Sequence, residues 1–192
     1  GQGAYYRVLN ALKPFCRSDA NSAKALDGRY LVRSLYYDRR DYVAYTDKME
    51  GVFHRDKFRI RSYDAVESKA AKVKVEIKSR VGYLIHKLSE FVDVEDYTTF
   101  ARTGDWGRAS GEALDAFSYA YHKGGLVPTV LVEYQREAYC GLLDGGVRFS
   151  FDHSVRYAWT SDLFMPCAGF KPCLDDGVVF EVKAGQNDIQ WV

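Results

Sequence analysis

The sequence predicts an α+β protein whose antiparallel β-sheet closes on itself, with helices packed against its outside. Three observations predict it. Five segments alternate apolar and charged residues with the period of a strand. Their charged faces are mostly Arg and Lys with a few Glu, and they hold little of the Thr, Ser and Gln filler of a wet sheet face. Apolar stripes at helical spacing lie outside these segments, as in Leu114, Phe117 and Tyr121. Closure turns the charged faces into a lumen and leaves the apolar faces to pack beneath the helices.

In chain order, Tyr5, Val8, Leu9 and Leu12 lie at helical spacing, and Pro14 ends that helix. Residues 30–38, rich in aromatic and branched side chains, read as a strand, and residues 39–50 as a short helix closed by Gly51. Residues 52–63 form the next strand, in which Arg55, Lys57, Arg59 and Arg61 project to one face while Phe58 and Ile60 take the other. Neighbouring cations in such a row are ~6.7 Å apart and repel, so an anion is needed there. Residues 65–72 read as a hairpin loop. Residues 73–80 then place Val73, Val75 and Ile77 opposite Lys74, Glu76, Lys78 and Arg80.

Residues 87–125 read as mainly helical, stopped by Gly124, Gly125 and Pro128. A second hairpin follows, with Val130, Val132, Tyr134 and Arg136 on one face of its first strand and Arg148, Ser150 and Asp152 on one face of its second; residues 142–146 make the turn. Residues 154–176 read as irregular with room for a short strand. The last clear strand is 178–183, where Glu181 and Lys183 share a face and repeat the Glu76-Ile77-Lys78 arrangement.

Composition bounds the function. The chain has 192 residues, 47% hydrophobic and 28% charged, with a formal charge of +1, which suits one globular domain over residues 1–192. It excludes a disordered chain and the overall cationic character of many nonspecific nucleic-acid binders, and no RNA-binding signature appears. Four cysteines form no CxxC pair, which points to reduced thiols and a cytoplasmic setting. No apolar run reaches the roughly 18 residues of a membrane span, and Gly1-Gln2-Gly3 has neither a basic n-region nor an apolar h-region. His54, His86, His122 and His153 are scattered and read as surface or strand-end residues, and most of the tyrosines read as packing residues with a polar tip. The chain has no phosphate-binding GxxxxGK[ST] loop.

Six blocks then carry a resemblance: Ser34-Leu35-Tyr36-Tyr37-Asp38, the stretch from Arg55 to Arg61, Glu76-Ile77-Lys78, Tyr134-Gln135-Arg136-Glu137-Ala138-Tyr139, Val147-Arg148-Phe149-Ser150-Phe151-Asp152, and Glu181-Val182-Lys183. In this order they resemble the VTC-type polyphosphate polymerase domain of the triphosphate tunnel metalloenzymes, relatives of the CYTH phosphatases. The resemblance implies a closed eight-stranded antiparallel β-barrel tunnel with flanking helices, binding ATP or another triphosphate and polyphosphate with Mn²⁺ or Mg²⁺. It implies Arg55, Lys57, Arg59, Arg61, Lys78, Arg136, Arg148 and Lys183 as phosphate ligands, and Glu181, then Glu76, as metal ligands. Lys57, Arg59, Arg61, Lys78, Arg136, Arg148 and Glu181 would carry catalysis, with Arg80, Lys87 and Asp152 of second rank. Two elements of the family pattern are expected to be missing: an opening strand with a Glu-x-Lys element before Tyr5, and a lysine-bearing helical segment after Lys183. The implied activity is transfer of the ATP γ-phosphate to a growing polyphosphate chain. A tri- or polyphosphate hydrolase and a noncatalytic polyphosphate- or nucleotide-binding module are the alternatives.

Overall fold

Residues 2–142 and 146–184 are described by the structure, a computed structural model. The helices are α1 (Gln2–Leu12), α2 (Val43–Glu50), α3 (Val94–Thr103) and α4 (Glu112–Gly124). The strands are β1 (Cys16–Ser18), β2 (Tyr30–Arg39), β3 (His54–Ser62), β4 (Lys72–Val81), β5 (Leu84–Asp93), β6 (Leu126–Gly141), β7 (Arg148–Trp159), β8 (Lys171–Pro172) and β9 (Val179–Lys183). The expected turn at 143–145 and the segment after residue 184 lie outside the described residues.

The strands pair in the order β5-β4-β3-β2-β6-β7-β8, with β1 added on β6 and β9 on β7. Closure of this sheet into an eight-stranded barrel, expected from the sequence, does not occur. A barrel needs the backbone groups of one edge strand to pair with those of the other. Here β5 pairs only with β4 and β8 only with β7, so among the described residues the ladder has two ends.

Residues 33–132 and 158–169 form one compact unit, and the segments up to 32, 133–157 and from 170 form another. In the first, β3 pairs with β2 and β4 in antiparallel register, and β4 pairs with β5 from Lys72↔Asp93 to Val81↔Leu84. The apolar face of this ladder packs on α4: Tyr37 and Phe58 each meet the edge of Phe117, at 5.1 and 5.6 Å between ring centres. Phe100 of α3 stacks on Trp106 at 3.9 Å beside them. Arg33 is completely buried, and its Nη1 donates to the carbonyls of Ala65 at 2.9 Å, Met165 at 3.0 Å and Leu163 at 3.4 Å.

The segment 84–93 is a strand where the sequence predicts the start of a helical region. Pairing with β4 wins over pattern because its apolar residues fall on both faces: Leu88 and Val92 lie opposite Ile77 and Val73, whereas Ile85 and Phe91 lie on the charged side. That mixture conceals the period of two. Leu84, Ile85 and Phe91 are consequently exposed on this edge strand.

In the second unit, Tyr5 and Leu9 of α1 pack on Phe151 of β7, as the helical spacing predicts. The Tyr5 hydroxyl donates to Oε2 of Glu137 at 2.7 Å, Tyr139 donates to its other oxygen, and buried His153 lies 3.2 Å from Oε2. His153 is therefore a core histidine rather than a surface one. All four cysteines are free thiols.

Candidate functional site

The two-residue period of β3, β4 and β5 collects charge on one face. Register places Arg55 opposite Arg80, Lys57 opposite Lys78, Arg59 opposite Glu76 and Arg61 opposite Lys74. On the far side of β4, Lys78 is opposite Lys87. Three of the four β3–β4 pairs are like-charged, and Lys57, Lys78 and Lys87 make a row of lysines across three adjacent strands. Directly opposed like charges destabilise a sheet, so this arrangement works against the empty protein.

Glu76 is the carboxylate inside that cationic face, with a side chain only 2% exposed. Arg59 Nε donates to its Oε2 at 2.7 Å, Arg61 Nε lies 3.6 Å from the same oxygen, and Lys87 Nζ meets Oε1. Burial pushes the Glu76 pKa up, but Arg61, then Arg59, and hydrogen bonds from Lys87 and Arg59 outweigh it and leave the carboxyl at about 2. The first sequence block supplies the supporting shell: Ser34 Oγ accepts from Arg61 Nε at 3.2 Å, and Tyr36 Oη accepts from Arg59 Nη1 at 3.4 Å. Along the row Arg61 is buried, Arg59 and Arg55 are partly covered and Lys57 is exposed.

Lys57, Lys78 and Arg55 have no carboxylate within ion-pair distance among the described residues. Arg55 and Arg80 turn to backbone carbonyls instead, of Val52 at 3.4 Å and Gly82 at 2.7 Å. Partial desolvation of Lys57, then the nearby charge of Lys48, lowers its pKa.

The remaining expected residues lie in the other unit. Arg136 holds Asp152 with two hydrogen bonds, Nε to Oδ1 at 2.6 Å and Nη2 to Oδ2 at 2.8 Å. Asp152 is thus the partner of a cation. Glu181 is looser: its Oε2 is 3.7 Å from Arg136 Nη2 and its Oε1 3.5 Å from Lys183 Nζ, and its side chain is 43% exposed. Arg148 pairs with Lys183 across β7 and β9, and both line a cavity of about 80 Å³ with Tyr30, Arg136 and Ser150.

A divalent metal fits the two glutamates unequally. Both oxygens of Glu76 already face cations, so a metal there would have to displace Lys87 or an arginine. Glu181 has open oxygens at no closer than 3.5 Å from a cation. No three His, Cys, Asp or Glu side chains gather into a metal cluster among the described residues. A Glu181-bound ion would complete its shell with substrate oxygens and water, as Mg²⁺ and Mn²⁺ commonly do.

Sequence reasoning ranked Lys87 second and overlooked Ser34 and Tyr36 as members of this face. The signal was present in the latter case. Ser34 and Tyr36 occupy alternate positions of the first block and register opposite Arg61 and Arg59.

The chain belongs to the VTC domain family, which matches residues 2–192. A crystal structure of a protein described as a candidate adenylate cyclase, from Bacillus halodurans, is similar in fold, with a TM-score of 0.52 and 11% identity over 84% of this chain and 71% of that one. No curated protein sequence matches the chain. Family membership supports an enzyme of the tunnel metalloenzyme class with nucleotide- or polyphosphate-related chemistry, a class that generally uses divalent metals. Among the described residues no helix is long and apolar enough to cross a membrane.

Proposed function

We propose that the protein is a metal-dependent polyphosphate polymerase that transfers the γ-phosphate of ATP to the end of a polyphosphate chain. The observation that carries this reading is the row Lys57, Lys78 and Lys87, opposed in register beside the Arg59–Glu76 pair. Its excess positive charge, fixed on strands, suits a chain of phosphates more than a single small anion. Lys57 and Lys78 supply compact charge, while Arg59 and Arg61, oriented by Glu76, Tyr36 and Ser34, present the remaining guanidinium N–H groups to phosphate oxygens.

In the reaction, a terminal oxygen of polyphosphate attacks the γ-phosphorus. The bond from that phosphorus to the β,γ-bridging oxygen breaks, and its electron pair leaves with ADP. The arginines and lysines lower the barrier by neutralising charge on the equatorial and leaving oxygens, and no protein nucleophile is required. Arg136, Arg148 and Lys183 are proposed as further phosphate ligands. Glu181 is proposed to hold the divalent ion, which when bound neutralises charge on the transferred phosphoryl group. Arg136 holds Asp152 and so keeps its guanidinium in one orientation.

The test is incubation with ATP and Mn²⁺, with products followed by ³¹P NMR and on polyphosphate gels. Chain growth is expected. Release of orthophosphate alone would replace the polymerase by a hydrolase, and binding without turnover would leave a binding module.

A further inference from the structure

The unit that carries the lysine row also contains a cavity of about 630 Å³ whose lining includes Tyr36, Tyr42, Tyr45, Lys48, Lys57 and Trp159. We propose that this cavity receives the nucleoside end of a nucleoside triphosphate, with the base stacked on its aromatic rings. The proposal rests on the reading above, that the β3 row holds phosphates, and extends it to the other end of the same substrate.

Three observations carry it. First, the cavity is continuous with the row: Lys57 lines it, and Tyr36 lines it while its hydroxyl accepts from Arg59. A triphosphate lying along Arg59 and Lys57 would therefore deliver its next group into the cavity. Its volume is in the range of small-molecule sites.

Second, its lining carries two aspartates and two lysines, and only the aspartates are already held by groups around them. Both aspartates in the lining are engaged. Asp38 accepts from the backbone N–H groups of Ala44 at 2.9 Å and Tyr45 at 3.3 Å, and Asp41 accepts from Arg39 at 3.0 Å. Lys48 and Lys57 have no carboxylate partner among the described residues. An apolar peptide or acyl chain would leave these two charges uncompensated, and a free phosphate would leave the rings uncovered. A planar aromatic group joined to an anion satisfies both.

Third, two of the aromatic residues are well exposed to the cavity's solvent. Tyr45 is 63% and Trp159 64% exposed. Tyr42 precedes α2 in the left-handed backbone region, with φ 57°, a conformation unfavourable for a bulky L-residue. Such strain concentrates at functional sites. Here the N–H and hydroxyl of Thr46 both donate to the Tyr42 carbonyl, at 2.9 and 3.0 Å, and hold it in place.

The test measures binding of ATP and of inorganic tripolyphosphate, by calorimetry, to the full chain and to Tyr45→Ala, Trp159→Ala, Tyr45→Phe and Trp159→Phe. Base stacking of ordinary strength predicts that each alanine variant weakens ATP by about tenfold, while the phenylalanine variants retain most of the affinity. Tripolyphosphate binding should be the same in all five proteins. Equal weakening of both ligands, or undiminished ATP binding in the alanine variants, would overturn the nucleoside cavity and leave the phosphate row standing. Failure of the unaltered chain to bind tripolyphosphate would overturn the phosphate reading, and this inference with it.

Discussion

Arg59 and Glu76 sit directly opposite each other on β3 and β4, and the arginine Nε lies 2.7 Å from the glutamate Oε2. The pair sets the acid limit of stability. The Glu76 pKa falls from 4.5 to about 2 on folding. A depressed carboxyl binds fewer protons in the folded chain than in the unfolded one, so its contribution is complete above pH about 4.5 and is lost as pH falls toward 2. The shift corresponds to roughly 3 kcal/mol. Denaturant unfolding of Glu76→Gln should show a deficit of that order at pH 7 that shrinks through this window, and a deficit independent of pH would refute the assignment.

The lysine row predicts opposite effects on stability and binding. Lys57→Met removes a charge facing Lys78 and should leave the ligand-free protein as stable or more stable, by up to about 1 kcal/mol. Tripolyphosphate affinity should fall about tenfold. Thermal unfolding and calorimetry on the same preparation check both, and a loss of stability with unchanged affinity would contradict the assignment.

Lys57 also predicts a pH dependence. Its pKa is lowered, by desolvation first and then by Lys48, so it gives up its charge at lower pH than an ordinary lysine. Tripolyphosphate affinity should accordingly begin to decline earlier on the alkaline side. Lys57→Arg should move that decline upward, and superimposable profiles would remove Lys57 from the binding face.

Asp152 bears on stability through Arg136. Their side chains are 11% and 14% exposed, so Asp152→Ala leaves a largely buried guanidinium whose remaining carboxylate neighbour among the described residues is Glu181, at 3.7 Å. A cost of about 3 kcal/mol follows. Adding Arg136→Met should recover part of it, and a strictly additive double variant would show that the pair is not coupled.

Glu181→Gln should raise the Mn²⁺ concentration needed for turnover by at least about tenfold, with an unchanged unfolding midpoint because the side chain is half exposed. An unaltered metal titration would exclude Glu181 as the ligand.

The alternating faces of β3, β4 and β9 are readable in the sequence because each segregates apolar and charged residues cleanly, whereas β2 is readable only as a run of aromatic and branched residues. Arg59, Arg61, Lys78 and Glu76 consequently fall on one face as expected. β5 was hidden because Ile85 and Phe91 share the charged side with Lys87, so no period of two emerges. Closure was misread for a different reason. A lumen and an open basic face demand the same alternation within each strand, and only the pairing of edge strands distinguishes them. The tyrosines show a further limit. Tyr37 packs against Phe117 as its pattern suggests, but Tyr42 and Tyr45 reach a cavity through a left-handed turn at residue 42 that no hydrophobic period encodes.

Arg33 joins backbone segments far apart in sequence, since one nitrogen holds the carbonyls of Ala65, Leu163 and Met165. Peptide dipoles share in balancing its charge there, and withdrawing the side chain from one carbonyl weakens its hold on the others. The loops that contain residues 65 and 163–165 must then open together. Hydrogen–deuterium exchange should find them in one cooperative unit with similar opening free energies, despite nearly a hundred residues of intervening chain.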